Sequence, residues 1–421
     1  MEVPDRLSCR RAIEALRNGV PNREAVRILG STQPHAEQRF QELLDQAADR
    51  TADGTTATTG RTMLISGDFG TGKSHLLEHF EHIALDRNFI CSRVAVSKET
   101  PFYDLGKMFR AATDNGTTPG GTVGIMVDEI GTRLAGPQSS GYARFFQWAN
   151  EANNGLHRIF PATLLVHERL PDQEVCNEIR WFWSGDKLAV STVKNGLRQL
   201  QQQGAYTFRA PKLKDLPPQR LRFVLEMTKA AGYRGWVVLI DELELIGSYS
   251  VLQRARSYAE LARWMGDSGE DYPGLVVVAA ITEDFAEAIL EEKGDRINVP
   301  DRMRARGEEQ IARQAETGMR WIEGHQTPLH EVTPEAVEAA AETIRRVYSA
   351  AYDWEAPPAT TASGAGYQRR MRYKVRSAIT TWDLQRLHPE SRPELESDEY
   401  RTSYTEDPDL EVEAKDDEPT S

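Results

Sequence analysis

The residues with the clearest chemistry in this chain form one continuous stretch, Gly67-Asp68-Phe69-Gly70-Thr71-Gly72-Lys73-Ser74. It fits the pattern G-x-x-x-x-G-K-[ST], in which glycines allow backbone N–H groups to wrap phosphate oxygens. Lys73 is expected to reach the β- and γ-phosphates of a nucleotide, and the Ser74 hydroxyl is expected to bind Mg²⁺. We place His75, the next residue, in the same predicted nucleotide site.

A strand and a helix must position this loop. Met63–Ile65 is typical of a short buried strand, and the apolar residues from Leu76 to Ala84 recur at helical spacing. A helix that opens at Lys73 would direct its partial positive charge at the phosphates. The alternative is a glycine turn between a strand and a helix without nucleotide chemistry.

A second acidic signature follows the apolar run Trp236–Ile240, which ends in Asp241 and Glu242. Parallel strands deliver their carboxyl ends to one edge of a sheet, so these carboxylates are predicted to lie beside the glycine loop. We expect Asp241 to hold Mg²⁺ and Glu242 to be the general base that orients the attacking water. Glu244 is a rival, but its two-residue offset is predicted to take it off the strand end. The alternative is a strand that ends in an acidic helix cap.

Two further groups could touch the transferred phosphate. Thr282 follows a third apolar strand, Leu275–Ile281, and could contact the γ-phosphate or cap the next helix. Downstream lie three closely spaced arginines, Arg302, Arg304 and Arg306. One of them could serve as an arginine finger to a neighbouring subunit, or all three could belong to a solvated basic loop.

Two helices are predicted near the C-terminus, over Glu335–Tyr352 and Tyr367–Leu387. Arg369, Arg372 and Arg376 line one side of the second helix at spacings of three and seven residues. We expect the pair to form a lid in which Arg376 or Arg372 contacts phosphate. An exposed basic stripe is the alternative.

The region 98–235 is too long for one crossover, and it is predicted to hold helical insertions. From Asp186 to Lys214 the chain has six basic residues and one acidic residue. The pattern there indicates a helix followed by a short strand at Tyr206–Phe208, as in a winged helix. It is interpreted either as a DNA-contacting element or as a charged helical insertion packed on the core.

Composition sets the remaining limits. Hydrophobic residues make up 39% and charged residues 27% of the 421 residues, as in soluble globular proteins. No apolar run approaches the roughly 20 residues of a membrane helix, and we expect no signal peptide. Three widely spaced cysteines, Cys9, Cys91 and Cys176, indicate reduced thiols in a cytoplasm.

The net charge of −13 is concentrated at one end of the chain. Glu390–Ser421 holds thirteen acidic and three basic residues, so the rest of the chain is close to neutral. We expect an acidic disordered tail over 389–421, with a specific docking tail as the alternative. The other predicted units are an N-terminal helical segment over 1–50, a nucleotide-binding core over 51–330 and the helical lid over 331–388.

The order of these motifs resembles AAA+ ATPases, nearest in style to origin-recognition and helicase-loader members. More narrowly, the sequence is similar to ATP-binding proteins of the BREX (bacteriophage exclusion) system. The likeness rests on Ala15–Pro21, Gly67–Leu77, Gly232–Trp236 and Asp241–Glu244. It implies an α/β fold, a P-loop AAA+ core with a parallel sheet flanked by helices, helical insertions and a C-terminal helical lid.

The resemblance also implies ATP and Mg²⁺ as cofactors, a cytoplasmic role in phage defence, other defence proteins as partners and assembly into a homo-oligomer. DNA would be contacted directly or through partners. Two functions are compatible with these motifs. The chain either hydrolyses ATP to remodel a defence complex, or it acts as a nucleotide-gated switch with negligible turnover.

Overall fold

The computed structural model describes residues 5–18, 23–48, 61–120, 123–124, 126–134, 140–264, 272–358 and 371–388. The low-complexity stretch 51–60, Arg369 and the acidic tail 389–421 lie outside the described residues. Within the described ranges, no helix is both long enough and apolar enough to cross a bilayer.

Seven strands among the described residues form one sheet in the order β4-β3-β2-β5-β6-β1-β7. They span Thr62–Ser66 (β1), Ile90–Ala95 (β2), Gly116–Thr117 (β3), Val123–Gly124 (β4), Trp236–Asp241 (β5), Leu275–Ile281 (β6) and Gln326–Pro328 (β7). Strands β2, β5, β6, β1 and β7 pair in parallel with one another in that order. Strands β3 and β4 extend the β2 edge as an antiparallel hairpin, which the sequence did not predict. The expected α/β class with a mostly parallel sheet is confirmed.

The central strands are buried on both faces, which explains their unbroken apolar sequences. In β5, Val237 and Leu239 pack into the core on one face of the sheet. Val238 and Ile240, which alternate with them, pack into the core on the other face. All seven residues of β6 are buried. Helices therefore cover both sides of the sheet.

The helices occur in two regions. Before β2 and within the long crossover that ends at β5 they are Arg6–Asn18 (α1), Arg23–Leu29 (α2), Pro34–Ala48 (α3), Lys73–Asp86 (α4), Leu105–Asp114 (α5), Met126–Arg133 (α6), Ser140–Asn150 (α7), Ile159–Arg169 (α8), Gln173–Ser184 (α9), Val190–Gln199 (α10) and Leu216–Ala230 (α11). After β5 they are Val251–Trp264 (α12), Asp295–Ala305 (α13), Glu309–Gly324 (α14), Pro334–Tyr352 (α15) and Met371–Leu387 (α16). Short 3-10 helices span Leu213–Asp215 and Leu243–Ser248, and Ala286–Glu292 is π-helical.

The first helix and the last two helices share a small core of their own. Ile13 of α1 is buried with Tyr348 of α15 and Trp382 of α16. An ion pair reinforces this core, because Nη2 of Arg17 lies 2.8 Å from Oδ2 of Asp383. The N-terminal helix thus packs against helices more than 300 residues away along the chain.

The predicted strand at Tyr206–Phe208 is wrong. This segment has no regular secondary structure. Tyr206 is buried, its hydroxyl lies 2.9 Å from Oδ1 of Asn150, and Phe208 packs edge-on against the ring of His157. Side-chain contacts with Asn150 at the end of α7 and with His157 before α8 hold this segment in place, so no strand partner is needed.

Candidate nucleotide site

The glycine loop adopts a conformation that other residue types rarely reach. Gly70 has a φ of 77° and Gly72 a φ of 103°, both in the left-handed region that favours glycine. Thr71 closes the turn, since its hydroxyl donates to the carbonyl of Asp68 at 2.7 Å. Helix α4 begins directly afterwards, at Lys73. A strand, a glycine loop and a helix therefore follow one another as the sequence predicted.

Lys73 is held inside this loop. Its side chain is only 8% exposed, and Nζ donates to the carbonyls of Gly67 at 2.6 Å and Asp68 at 3.2 Å. Burial lowers the pKa of the Lys73 ammonium, and the carboxylates of Glu244 and Asp241 partly offset that effect. The ammonium is thus a desolvated positive charge aimed at the loop.

The end of β5 lies at the same edge of the sheet as the loop. Strand β6 separates β5 from β1, and the Gly67 N–H donates to the carbonyl of Ile281 at the end of β6. Asp241 is half-buried, and its Oδ1 accepts the N–H of Glu242 at 3.0 Å. Arg93 of β2 pairs with Glu78 and approaches Oδ2 of Asp241 to 3.9 Å.

Glu242 turns the chain at the strand end. Its φ of 60° is uncommon for a residue with a side chain, and its side chain is exposed. Burial of part of the group and the neighbouring Asp241 raise the pKa of its carboxyl. The structure therefore places Glu242 at the mouth of the site.

Glu244 lies off the end of β5, as its offset predicted, but it still lines the same cavity as Asp241 and Glu242. After the turn at Glu242 the chain forms the 3-10 helix Leu243–Ser248, which brings Glu244 back toward Lys73. Its side chain is 5% exposed, and Oε2 has no hydrogen-bond partner among the described residues. Burial raises the pKa of its carboxyl to about 7 despite the opposing effect of Lys73.

These groups line one cavity of about 300 Å³. One wall is polar and is formed by the loop and by the acidic residues that follow β5. The other wall is largely apolar and comes from the N-terminal and C-terminal helices and the segments beside them. The apolar lining residues are Leu16, Leu29, Val332, Ala340 and Val375, and Gly30–Gln33 lies between the two walls.

His75 connects these two walls. Its Nε2 lies 2.7 Å from the carbonyl of Gly30, which follows helix α2. Burial lowers the pKa of the imidazole. The sequence predicted that His75 belongs to the nucleotide site but did not predict what it does. In the structure its contact with Gly30 connects helix α4 to the segment that follows α2.

Other predicted residues lie farther from the cavity. Thr282 is buried at the end of β6 but is not among the cavity-lining residues, and Phe285 rather than Thr282 flanks the next helical segment. Arg376 is exposed and lies outside the cavity, whereas its neighbour Val375 lines it. The side chain of Arg372 lies outside the described side chains.

The three arginines lie on and just after helix α13 rather than in a loop. Arg304 pairs with Glu316 at 2.7 Å, and Arg306 pairs with Glu308 at 3.1 Å. Arg302 is exposed, and within the described part of the chain it forms no ion pair. Of the three, Arg302 is the one whose guanidinium is not held by a carboxylate among the described residues.

The residues present fit a nucleotide and Mg²⁺. The glycine loop offers a close backbone approach, since a Cβ on Gly67 would lie 2.7 Å from the Thr71 hydroxyl. Ser74, Asp241 and the unpartnered Glu244 Oε2 supply oxygen atoms at one side of the cavity. Within the described ranges no group of three or more His, Cys, Asp or Glu side chains is arranged to hold a metal. Mg²⁺ suits this setting, because it commonly takes one or two protein ligands together with phosphates and water.

Comparison with known proteins gives one match. A family model described as "BREX system ATP-binding protein BrxC/D" matches residues 6–129 and 218–376. These ranges include the glycine loop, the end of β5, helix α13 and most of the apolar wall, and they leave out 130–217. Comparisons with curated proteins and with solved structures found no match.

Proposed function

Because this chain belongs to the family of BREX system ATP-binding proteins BrxC/D, we propose that its cavity binds ATP with Mg²⁺ and that the chain hydrolyses the nucleotide. The observation that carries this proposal is the arrangement around Lys73. A buried ammonium, a glycine loop and the carboxyl groups of Asp241, Glu242 and Glu244 line the same cavity, which also has an apolar wall. Such a cavity matches the chemistry of a nucleoside triphosphate.

The phosphates would lie on the glycine loop. Backbone N–H groups and the N-terminus of helix α4 favour negative charge there, and Lys73 supplies a full positive charge. Ser74 and Asp241 would hold Mg²⁺, which neutralises charge on the phosphates when bound. The adenine ring of the nucleotide would pack against apolar residues such as Leu29 and Val332, because burying an aromatic ring away from water is favourable.

Two carboxyl groups compete for the role of general base. Glu242 lies at the cavity mouth, where a water molecule has access, and we assign it the role of general base. Glu244 is buried and has a pKa of about 7, so near neutral pH it is only partly ionised. When it is ionised, Glu244 attracts the Lys73 ammonium, and we assign it this electrostatic role rather than that of general base.

A nucleotide-gated switch is the second candidate function, and one observation favours it. The cavity walls come from both the sheet core and the helical group formed by α1, α15 and α16, as Lys73 and Val375 illustrate. A nucleotide that touches both walls would bias their relative arrangement without being hydrolysed.

Within a phage-defence system the chain would act with other defence proteins in a cytoplasm. We propose that it forms a homo-oligomer in which Arg302 reaches the nucleotide of a neighbouring subunit. We also propose that the chain associates with DNA, either directly or through its partners.

Phosphate release separates hydrolysis from switching. The purified chain is incubated with ATP and either Mg²⁺ or a chelator, with and without DNA, while nucleotide binding is measured in parallel. Saturable turnover that requires Mg²⁺ would support the ATPase. Saturable ATP binding without phosphate release, under all of these conditions, would leave the switch as the function.

A further inference from the structure

Helix α10 lies in the part of the chain that the family model does not match. Its inward face packs on helix α8 through Val193, Gly196 and Leu197, which are buried. The contact is close, since a Cβ on Gly196 would lie 2.7 Å from Cγ1 of Val166. The orientation of α10 is therefore fixed, and its opposite face is turned to solvent.

The solvent face of α10 carries cationic and amide side chains. Lys194 and Arg198 are four residues apart, so they are neighbours on one face. Between and beside them lie the exposed polar residues Ser191, Asn195 and Gln199. We call these five residues the α10 face. It contains neither a carboxylate nor an aromatic ring.

The positive charges of the α10 face are uncompensated. Among the described residues, neither Lys194 nor Arg198 forms an ion pair, and the guanidinium of Arg198 donates to Oδ1 of Asn195 at 3.1 Å. Lys187, just before the helix, is exposed and also has no ion pair within those ranges.

Acidic residues of the neighbouring elements have hydrogen-bond or ion-pair partners other than Lys194 and Arg198, and one of them, Glu178, contacts α10 through Thr192. Asp186 pairs with Arg110, and Oε2 of Glu178 accepts the Thr192 hydroxyl at 3.2 Å. Asp172 caps helix α9 through the N–H groups of its first turn. Glu168 accepts the hydroxyl of Tyr142 at 2.5 Å. The α10 face thus carries two cationic side chains and no carboxylate of its own.

We propose that the α10 face binds the major groove of duplex DNA. Lys194 and Arg198 would neutralise phosphates, and Asn195 and Gln199 have the amide groups that can pair with adenine edges. The B-form major groove admits an α-helix, whereas the deep, narrow major groove of duplex RNA excludes side chains. Single strands are bound largely by stacking on aromatic rings, which this face lacks. The inference deepens the DNA association in the proposed function, and it does not require ATP hydrolysis.

The test compares two neutralised variants of the full chain. Lys194→Gln/Arg198→Gln removes both charges from the α10 face. Arg320→Gln/Arg346→Gln removes two exposed helical arginines from α14 and α15, with the same change in net charge. Binding of a fluorescent duplex of about 30 base pairs, long enough for several major-groove turns, is measured by anisotropy from about 50 to 200 mM salt.

We expect the α10 variant to bind at least about tenfold more weakly than wild type at low salt. The slope of log affinity against log salt should fall by about 2, because each lost phosphate contact accounts for about 0.9. The control variant should match wild type, and ATP affinity should be the same in all three proteins. Equal duplex binding by wild type and the α10 variant would overturn the proposal. Equal affinities of wild type for duplex DNA and duplex RNA would also overturn it. So would displacement of the duplex by an equimolar amount of a peptide with the acidic sequence 390–421. If wild type did not bind ATP, that result would instead contradict the proposed function.

Discussion

Lys73 and Glu244 are buried on the walls of the same cavity, and each shifts the pKa of the other. Burial is the largest influence on both groups: it lowers the pKa of the Lys73 ammonium and raises that of the Glu244 carboxyl. Their mutual attraction opposes both shifts. Because Glu244 lies two residues beyond Glu242, the acidic signature after β5 contributes one carboxyl at the cavity mouth and another inside the cavity.

The first prediction separates these two glutamates. Glu242→Gln should lower ATP turnover by a factor of about 10² to 10⁴, the usual contribution of a general base, with ATP affinity nearly unchanged. Glu244→Gln should retain most of the turnover, and Glu283→Gln, at an exposed position after β6, is the control. Steady-state phosphate release measures all three. If Glu244→Gln were inactive while Glu242→Gln remained active, the two assignments would have to be exchanged.

A second prediction concerns the pH dependence of stability. The pKa of Glu244 is raised from 4.5 to about 7 in the folded protein. Protonated Glu244 therefore favours the folded state. This contribution is fully present below pH 4.5 and is lost as the pH rises through about 7. Replacement by glutamine, which cannot ionise, should raise the free energy of unfolding at pH 8 by up to about 3 kcal/mol.

At pH 5 the same Glu244→Gln substitution should have little effect, since wild-type Glu244 is then almost entirely protonated in the folded state. Denaturant unfolding at both pH values, with Glu283→Gln alongside, measures the difference. An equal effect of Glu244→Gln at pH 5 and pH 8 would show that the carboxyl does not titrate as the structure indicates.

The third prediction concerns hydrolysis between subunits. Arg302→Ala should leave ATP affinity close to wild type and lower turnover by about a thousandfold, because an arginine finger stabilises charge in the transition state. Arg304→Ala is the matched control, since Arg304 is engaged by Glu316 on the same subunit. Mixing Arg302→Ala with Glu242→Gln should restore part of the activity. Specific activity that stays constant with protein concentration while the protein is monomeric would contradict shared sites.

The sequence predicted the parts of the site whose chemistry is local. The spacing from Gly67 to Ser74 dictates the loop, and the apolar runs of β1, β5 and β6 predict strands that end at one edge. The position of Glu244 inside the cavity was not predicted, because the positive φ of Glu242 turns the chain and residue type alone does not reveal such a turn.

Long-range packing was the second feature that local patterns could not supply. Ile13 and Trp382 lie in one small core although they are far apart in the sequence, and their neighbours Leu16 and Val375 line the cavity. The sequence predicted helices in both regions, but local spacing contains no information about which helices meet. For the same reason the prediction favoured Arg376, whereas the structure turns the adjacent Val375 inward.

Calorimetric titration of ATP with Mg²⁺ into wild type and Lys73→Ala tests the central claim most directly. Lys107→Ala provides the control, because Lys107 is exposed on α5 and its replacement removes an equal charge away from the cavity. Wild type and Lys107→Ala should bind ATP saturably. Lys73→Ala should bind at least about tenfold more weakly, the loss expected for a charge-assisted contact, while its melting temperature does not fall. Undiminished ATP affinity in a folded Lys73→Ala protein would contradict the assignment of this cavity as the nucleotide site.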